Sequence, residues 1–252
     1  MKIFAIVNQK GGVAKTSTAL ALTSGLVSRG FKVLCIDLDP QCNLSFAADA
    51  DTEKKSIRDV LIGEINIIDV IQQTAQGDII PSDNQLSGAD SYINETGKEY
   101  RLKEGLAQIK KDYDYMILDC PPALGILTIN ALTACDGVII PAQAEAFSMQ
   151  GIDQLRNTID AVKNYTNPQL TIEGILLTRH NARSVLSRDV AEMMAKLASY
   201  MHTKVFKSTI REAVVVRESQ INQESLFSYA PKANITADYR AFIDELLGGL
   251  DQ

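Results

Sequence analysis

Short runs of apolar residues recur along the chain, separated by longer stretches in which apolar residues return at helical spacing. A short, nearly continuous apolar run is typical of a strand buried on both faces of a sheet. The runs that predict such strands are 1–7, 31–37, 115–119, 137–141 and 171–178, with weaker candidates at 78–81 and 203–206. The stretches that predict helices are 16–29, 98–111, 124–134, 148–164, 184–200 and 235–249.

This alternation of strands and helices predicts an α/β fold, with a mostly parallel twisted sheet covered by helices on both faces. The chain has 252 residues, of which 46% are apolar, so we expect one domain spanning 1–252 with a large core. No stretch reaches the roughly 18 uninterrupted apolar residues of a membrane span, and we expect no signal peptide. In parallel sheets ligands bind at the carboxyl ends of strands, so candidate chemistry is sought in the loops that follow strands.

The first such loop, residues 8–18 (N-Q-K-G-G-V-A-K-T-S-T), lies between the first predicted strand and helix. A strand, a glycine-containing turn and a helix bring free backbone N–H groups and the positive helix end to one point, which favours an anion. The pattern ends like a phosphate-binding loop, so Lys15 is expected to reach β- and γ-phosphates and Thr16 to coordinate Mg²⁺. Gln9 and Ala14 stand where that pattern has glycine.

Two further loops begin with acidic residues. Asp119 ends an apolar strand, as the Walker-B aspartate does, and is the candidate for holding Mg²⁺ beside the Thr16 hydroxyl. Asp39 lies one step beyond its strand and is the candidate for orienting the attacking water next to the metal. Asp37 is a competitor for that role, although its position within the strand predicts burial. An ordinary turn or helix-cap aspartate is the other interpretation of Asp39.

Three motifs then establish a resemblance: K-G-G-V-A-K-T at 10–16, D-L-D-P-Q at 37–41 and I-L-D-C-P-P at 117–122. Together they resemble the ParA family of partition ATPases, the deviant-Walker-A group of P-loop NTPases. The similarity continues with L-T-I-N-A-L at 127–132, G-I-L-L-T at 174–178 and Y-A-P-K at 229–232, so it covers essentially the whole chain.

The resemblance implies an ATP- and Mg²⁺-dependent sandwich homodimer with slow intrinsic ATP hydrolysis. Lys10 is then expected to cross to the nucleotide of the partner subunit, where positive charge on a transferring phosphoryl group speeds hydrolysis. The implied catalytic residues are Lys10, Lys15 and Asp39, and the implied metal-site residues are Thr16, Asp39 and Asp119. The implied ATP contacts are Gly11, Gly12, Val13, Ala14, Lys15, Thr16, Ser17, Thr178, Arg179 and Pro231, together with the segment after Ile210. If Ala14 has a positive φ, its methyl group costs about 1 kcal/mol.

Charge is distributed unevenly along the chain. The net charge is −6, but residues 179–217 carry +5 and the remainder −11. A local basic face of this kind is either a solvated helix face or a site for DNA phosphates that does not read sequence. The resemblance implies nonspecific DNA binding by the ATP-bound dimer, with Arg183, Arg211 and Arg217 as candidate contacts, since 214–216 is V-V-V instead of basic. It also implies a ParB-type centromere-binding partner and a cytoplasmic, nucleoid-associated protein that does not bind membranes.

Four other functions were weighed against this one. A MinD-like ATPase ends in a basic amphipathic membrane helix, whereas 235–252 has four acidic residues and one arginine. An iron–sulfur reductase needs paired cysteines, and the four cysteines have no C-x-x-C spacing. A small-molecule P-loop kinase leaves Lys10 without a task. A purely DNA-binding module, or a repressor with a helix-turn-helix, is not expected because no such segment precedes the first strand.

Overall fold

Eight strands form one sheet in the computed structural model, which describes residues 1–143, 149–180 and 187–248. The strands are β1 (Lys2–Ile6), β2 (Val33–Asp37), β3 (Gln72–Thr74), β4 (Gly77–Ile80), β5 (Tyr115–Asp119), β6 (Gly137–Ala142), β7 (Thr171–Thr178) and β8 (Val205–Ile210). Their order across the sheet is β3-β4-β2-β5-β1-β6-β7-β8. The β3–β4 pair is antiparallel and every other pair is parallel. The predicted α/β class and mostly parallel sheet are therefore confirmed.

Helices cover both faces of this sheet. They are α1 (Lys15–Val27), α2 (Asn43–Ala47), α3 (Ile57–Leu61), α4 (Ala89–Tyr92), α5 (Arg101–Ile109), α6 (Ile126–Ala134), α7 (Met149–Tyr165), α8 (Ser187–Tyr200), α9 (Val214–Ile221), α10 (Leu226–Tyr229) and α11 (Asn234–Gly248). Short 3₁₀ turns occur at Ile67–Val70, Asn84–Gly88 and Lys98–Tyr100. Across the described part of the chain, we find no helix with the length and apolar character needed to cross a membrane.

The apolar residues of the strands divide between two cores because successive side chains point to opposite faces. In β1, Ile3 and Ala5 belong to the core that also contains residues of α5, α6, α7 and α8, whereas Phe4 and Ile6 belong to the core that contains residues of α1 and α11. Residues of β2, β5, β6 and β7 alternate in the same way. Burial on both faces explains why the central strands appear in the sequence as continuous apolar runs.

Strand register brings three strand ends together at one edge of the sheet. Asp119 at the end of β5 is paired with Asp37 of β2 on one side and with Ile6 of β1 on the other. The loops that follow these strands therefore meet at the carboxyl edge, where ligands bind in parallel sheets.

The main strands and helices match the sequence-based expectations to within a few residues, although β8 continues to Ile210. The antiparallel strand β3 and the short helices α2, α3, α4, α9 and α10 were not expected. The beginnings of the predicted helices at 148–164 and 184–200 lie outside the described residues.

Candidate functional site

The loop between β1 and α1 holds a left-handed backbone at two positions. Gly12 has φ 76°, and Ala14, immediately before α1, has φ 64° and ψ 30°. Ala14 therefore has the positive φ that the sequence could not establish, so an alanine occupies a conformation that favours glycine. No side chain caps α1, so its first backbone N–H groups remain available to an anion.

Lys15 lies inside this loop, with only 7% of its surface exposed. Its Nζ donates a hydrogen bond to the Lys10 carbonyl oxygen at 3.2 Å. Burial lowers the pKa of Lys15, and the nearby carboxylates of Asp119 and Asp39 partly offset that decrease. The loop therefore holds a cation in position beside two acidic side chains.

Asp119 is buried, and neither of its carboxylate oxygens accepts a hydrogen bond of normal geometry from the described residues. Burial raises its pKa, and the charge of Asp37 adds to the increase, while the Thr16 hydroxyl and Lys15 oppose it. A buried carboxylate without a partner is costly, and a divalent cation would relieve that cost.

No group of three or more acidic, histidine or cysteine side chains suited to a metal ion occurs among the described residues. Mg²⁺ in nucleotide sites commonly takes one or two protein oxygens and completes its shell with phosphates and water. Thr16, which lines the cavity described below, and the unpartnered Asp119 fit that kind of donor set.

Asp37 and Asp39 differ in what their side chains do. Asp37 is fully buried and accepts hydrogen bonds from the backbone N–H of Asp39 at 3.0 Å and from the backbone and hydroxyl of Ser45 at 2.8 and 2.7 Å. Asp39 accepts one hydrogen bond, from the backbone N–H of Gln41 at 3.0 Å, and lines the cavity. Asp39 therefore lies at the cavity, whereas the hydrogen bonds of Asp37 hold the loop in place.

A cavity of about 910 Å³ opens at this edge of the sheet, within the size range of small-molecule sites. The β1–α1 loop and α1 form its floor, with Gly11, Gly12, Ala14, Lys15, Thr16 and Ser17 on the lining. Asp39 and residues 121–123 form one wall. Residues 210–213 and helix α9 form the opposite wall. The lining thus joins a polar floor to an apolar wall that includes Ile210 and Val216.

Thr178 ends β7 and Arg179 follows it, and both contact the β1–α1 loop. The Thr178 hydroxyl lies 3.1 Å from the Val13 carbonyl oxygen and 3.2 Å from that of Ala142. Arg179 donates to the Gly12 carbonyl oxygen at 3.4 Å and forms an ion pair with Glu212.

Pro231 is not part of the cavity lining, and its carbonyl oxygen accepts a hydrogen bond from Arg240 at 2.9 Å. Its interpretation as an adenine contact is therefore unsupported by the cavity, whereas the segment after Ile210 does lie on the lining.

Sequence reasoning missed the contribution of helix α9. Gln220 on α9 donates from Nε2 to the Ser17 hydroxyl at 3.1 Å, which ties the helix to α1 beside the loop. The run V-V-V at 214–216 gave no helical signal because β-branched residues favour strands. The useful signal was the position of this segment after the end of a strand.

The remaining candidates, the lysine expected at the dimer interface and the arginines expected to contact DNA, do not form one surface within the described residues. Lys10 is exposed and its side chain is not on the cavity lining. Arg211 and Arg217 are exposed and both line the cavity, so they do not form a separate basic face. Arg211 also donates from Nε and Nη2 to Asp238 at 2.6 and 2.8 Å. Arg183 lies outside the described residues.

Comparison with known proteins gives consistent matches. A family model described as an AAA domain matches residues 1–172. The chain is 42% identical over 238 residues to the sporulation initiation inhibitor protein Soj of Bacillus subtilis, covering 92% of each protein. It is 38% identical over 226 residues to the chromosome partitioning protein ParA of Caulobacter vibrioides, covering 87% of this chain and 84% of that protein.

A solved structure described as cobyrinic acid a,c-diamide synthase from Mycobacterium smegmatis, with bound ADP and magnesium, superposes with a TM-score of 0.87. It is 34% identical to this chain, and the match covers 100% of this chain and 96% of that one.

Proposed function

Because this chain belongs to the ParA family of partition ATPases, we propose that it is an ATP-dependent DNA-segregation protein. In this proposal it binds ATP with Mg²⁺, closes into a homodimer, and binds DNA without sequence preference. A ParB-type centromere-binding partner then stimulates ATP hydrolysis and release of the protein from DNA. In this proposal the protein is cytoplasmic and associated with the nucleoid.

The observation that carries the ATPase proposal is the unpartnered Asp119 carboxylate, buried beside Lys15 at the end of β5. Lys15 and Thr16 line a cavity of about 910 Å³, and Asp119 is buried close enough to Lys15 to affect its pKa. A nucleoside triphosphate with Mg²⁺ offers negative oxygens to Lys15 and a cation to Asp119, so both buried charged groups gain a partner of opposite charge. The Mycobacterium smegmatis relative, with ADP and magnesium, supports this interpretation.

Each residue of the site has a role in this proposal. The backbone N–H groups from Gly11 to Ser17 hold phosphate oxygens, and Lys15 neutralises charge on the β- and γ-phosphates. Thr16 and Asp119 hold the metal ion, which would stabilise the charge of the transferring phosphoryl group. Asp39, on the cavity wall, orients the attacking water by accepting a hydrogen bond from it.

Lys10 is the residue that we assign to dimerisation. Its exposed side chain is not on the lining of its own cavity, although its carbonyl oxygen accepts the hydrogen bond from Lys15. A lysine held at the rim with its ammonium group free of the cavity is suited to a nucleotide bound by the partner subunit. There it would supply charge as an arginine finger does.

DNA binding is proposed from the basic segment 179–217, which carries +5 in a chain of net charge −6. Arg183, Arg211 and Arg217 remain the candidate contacts. Arg211 would have to exchange its ion pair with Asp238 for a phosphate, which lowers its net contribution. The similarity to the chromosome partitioning protein ParA of Caulobacter vibrioides supports a role in partitioning.

Helix α11 is not available for a MinD-like contact with a membrane. Its apolar residues Ile235, Phe242 and Ile243 are buried in the core that contains α1 and β1. An amphipathic membrane helix needs that face free for lipid, and this helix uses it within the fold.

The decisive experiment measures ATP turnover and duplex-DNA binding by wild type, Lys10→Ala and Lys111→Ala, with and without a candidate ParB-type protein. Lys111 is the matched control, because it is an exposed lysine that precedes β5 at the opposite edge of the sheet. We expect slow turnover that DNA and the partner accelerate, and DNA binding that requires ATP. Lys10→Ala should lose dimerisation or at least about tenfold in turnover, whereas Lys111→Ala should match wild type.

Two results would refute parts of the proposal. Absence of ATP-dependent DNA binding at low salt, with turnover insensitive to DNA, would exclude partitioning and favour a metabolic ATP-using role. A Lys10→Ala variant that dimerises and hydrolyses ATP normally would exclude the assignment across the interface.

A further inference from the structure

One connecting segment, residues 81–92, contacts α2 and α6, the helices that follow the two loops carrying the acidic residues of the site. We call residues 81–92 the connector. It follows β4 and includes the 3₁₀ turn Asn84–Gly88 and helix α4. None of the sequence motifs and none of the roles proposed above involve it.

The connector holds the loop of Asp39 through a chain of buried hydrogen bonds. The Ser82 backbone N–H donates to the Ser45 hydroxyl oxygen at 2.9 Å, and that hydroxyl donates to Asp37 at 2.7 Å. Asp37 in turn accepts from the backbone N–H of Asp39 at 3.0 Å. The position of Asp39 is thus fixed relative to Ser82.

The connector also holds the loop that follows Asp119. Asp90 accepts a hydrogen bond from the backbone N–H of Ile126, the first residue of α6, at 2.8 Å. The residue before α6 is Gly125, which has no side chain to cap the helix. A Cβ at Gly125 would lie 2.5 Å from the Asp90 carboxylate, so glycine leaves the space that Asp90 occupies. The cap of α6 therefore comes from a residue 36 positions away in sequence.

Between these two anchors the connector is itself fixed. Asp83 accepts hydrogen bonds from the Ser56 hydroxyl at 2.5 Å and from Arg58 Nε at 3.1 Å. Ser87 is also one of the residues that line the cavity. The connector is thus attached to the body of the protein through Ser56 and Arg58, and to the helices α2 and α6 that follow the two acidic loops.

From these contacts we propose that Asp90 is a positioning residue for ATP hydrolysis. By capping α6 it fixes the loop after Asp119 relative to the connector, and the connector fixes Asp39 through Ser82 and Ser45. Hydrolysis depends on the relative placement of Asp39 and Asp119, whereas binding of the nucleotide depends mainly on the β1–α1 loop. The inference rests on the ATPase activity proposed above.

The test compares steady-state ATP hydrolysis by wild type, Asp90→Ala, Asp90→Asn and Asn66→Ala. Asp90→Ala should lower kcat about five- to tenfold with KM changed by less than about twofold, as expected for a loss of positioning. Asp90→Asn keeps an oxygen acceptor for the Ile126 N–H, so it should retain at least about half of the wild-type kcat.

Asn66→Ala is the matched control, since Asn66 accepts from the backbone N–H of Ile68 at 3.0 Å as a cap remote from the cavity. It should keep the wild-type kcat. Equal losses in Asp90→Ala and Asn66→Ala would show general destabilisation and overturn the positioning role.

A second measurement does not depend on activity. Amide hydrogen exchange in residues 119–132 should accelerate in Asp90→Ala and remain as in wild type in Asp90→Asn and Asn66→Ala. A wild-type chain that hydrolyses no ATP would refute the proposed function. A normal wild-type rate that Asp90→Ala leaves unchanged would refute only the positioning role.

Discussion

Ala14 has a backbone conformation that is unfavourable for any residue with a side chain. Its φ of 64° is in the left-handed region, where a methyl group costs about 1 kcal/mol or more relative to glycine. Ala14→Gly should therefore raise the free energy of unfolding by about 0.5–1 kcal/mol, after allowing for the greater freedom of glycine in the unfolded chain. Urea denaturation measures this difference.

Ala107→Gly is the control for that measurement, because Ala107 is exposed on helix α5. Glycine within a helix should lower the free energy of unfolding by about 1 kcal/mol, so the two substitutions should have opposite signs. A loss of stability in both variants would contradict the strain assigned to Ala14.

The two aspartates after β2 should separate stability from catalysis. Asp37→Ala removes a buried carboxylate that accepts three hydrogen bonds, and it should lower the free energy of unfolding by about 2–4 kcal/mol. Asp39→Ala should cost less than about 1 kcal/mol but lower ATP turnover at least about a hundredfold. Denaturation and turnover assays on both variants check the division, and the reverse pattern would exchange their roles.

The sequence predicted one site for Lys15, Thr16, Asp39 and Asp119, because motif spacing and strand ends are visible in sequence. In the structure Lys15, Thr16 and Asp39 line the cavity, and Asp119 is buried close to Lys15. The division between Asp37 and Asp39 was less visible, since it depends on Ser45, which lies on the unexpected helix α2. Pro231 was chosen by resemblance, and the chain turns its carbonyl toward Arg240 instead of placing it at the cavity.

At the scale of elements, the exposed edge strand β8 is protected by helix α11. Glu245 accepts hydrogen bonds from the backbone N–H groups of Lys207 and Ser208, both at 2.8 Å. Burial tends to raise the pKa of Glu245, but these hydrogen bonds outweigh it, so its pKa lies below the usual value. Because Glu245 of α11 occupies these two N–H groups of the edge strand, they are not available for pairing with other chains.

The lowered pKa of Glu245 makes its contribution dependent on pH. The ionised carboxylate stabilises the fold above the usual glutamate pKa of about 4.5, and this is lost as pH falls through the lower folded value. Glu245→Gln should therefore lower the free energy of unfolding by about 1 kcal/mol at pH 7 and have little effect near pH 3. Urea denaturation at both pH values checks this, and an equal loss at both would show a role in packing instead of charge.

The elements that sequence predicted are those stabilised by their own pattern, such as the buried strands β1 and β5. The elements that it missed are short, and contacts made far away in sequence hold them. The C-terminal carbonyl groups of α2 at Phe46 and Ala47 accept hydrogen bonds from Gln223 and Gln76. Helix α2 has five residues, too few to be stable without such contacts. The local sequence pattern does not predict these contacts.

At the scale of the whole molecule, apolar cores cover both faces of the sheet, but its carboxyl edge contains a buried carboxylate without a hydrogen-bond partner among the described residues. The two cores contain apolar residues from β1, β2, β5, β6 and β7, so they do not depend on a ligand. Asp119, in contrast, is a buried carboxylate whose oxygens lack hydrogen-bond partners among the described residues. The site thus stores an unfavourable interaction that bound Mg²⁺ and nucleotide would relieve.

Asp119→Asn should therefore change the stability of the free and ligand-bound protein in opposite directions. Removing the buried charge should raise the free energy of unfolding without nucleotide by about 1 kcal/mol or more at pH 7. Wild type should gain about 2.7 kcal/mol from MgATP at a hundred times its dissociation constant, and most of that gain should need Mg²⁺. In Asp119→Asn, removing Mg²⁺ with EDTA should leave the ATP-dependent gain unchanged. Denaturation without ATP measures the first effect, and denaturation with ATP in the presence and absence of Mg²⁺ measures the second. A variant that is less stable without ligand yet keeps the full response to Mg²⁺ would remove Asp119 from the metal site.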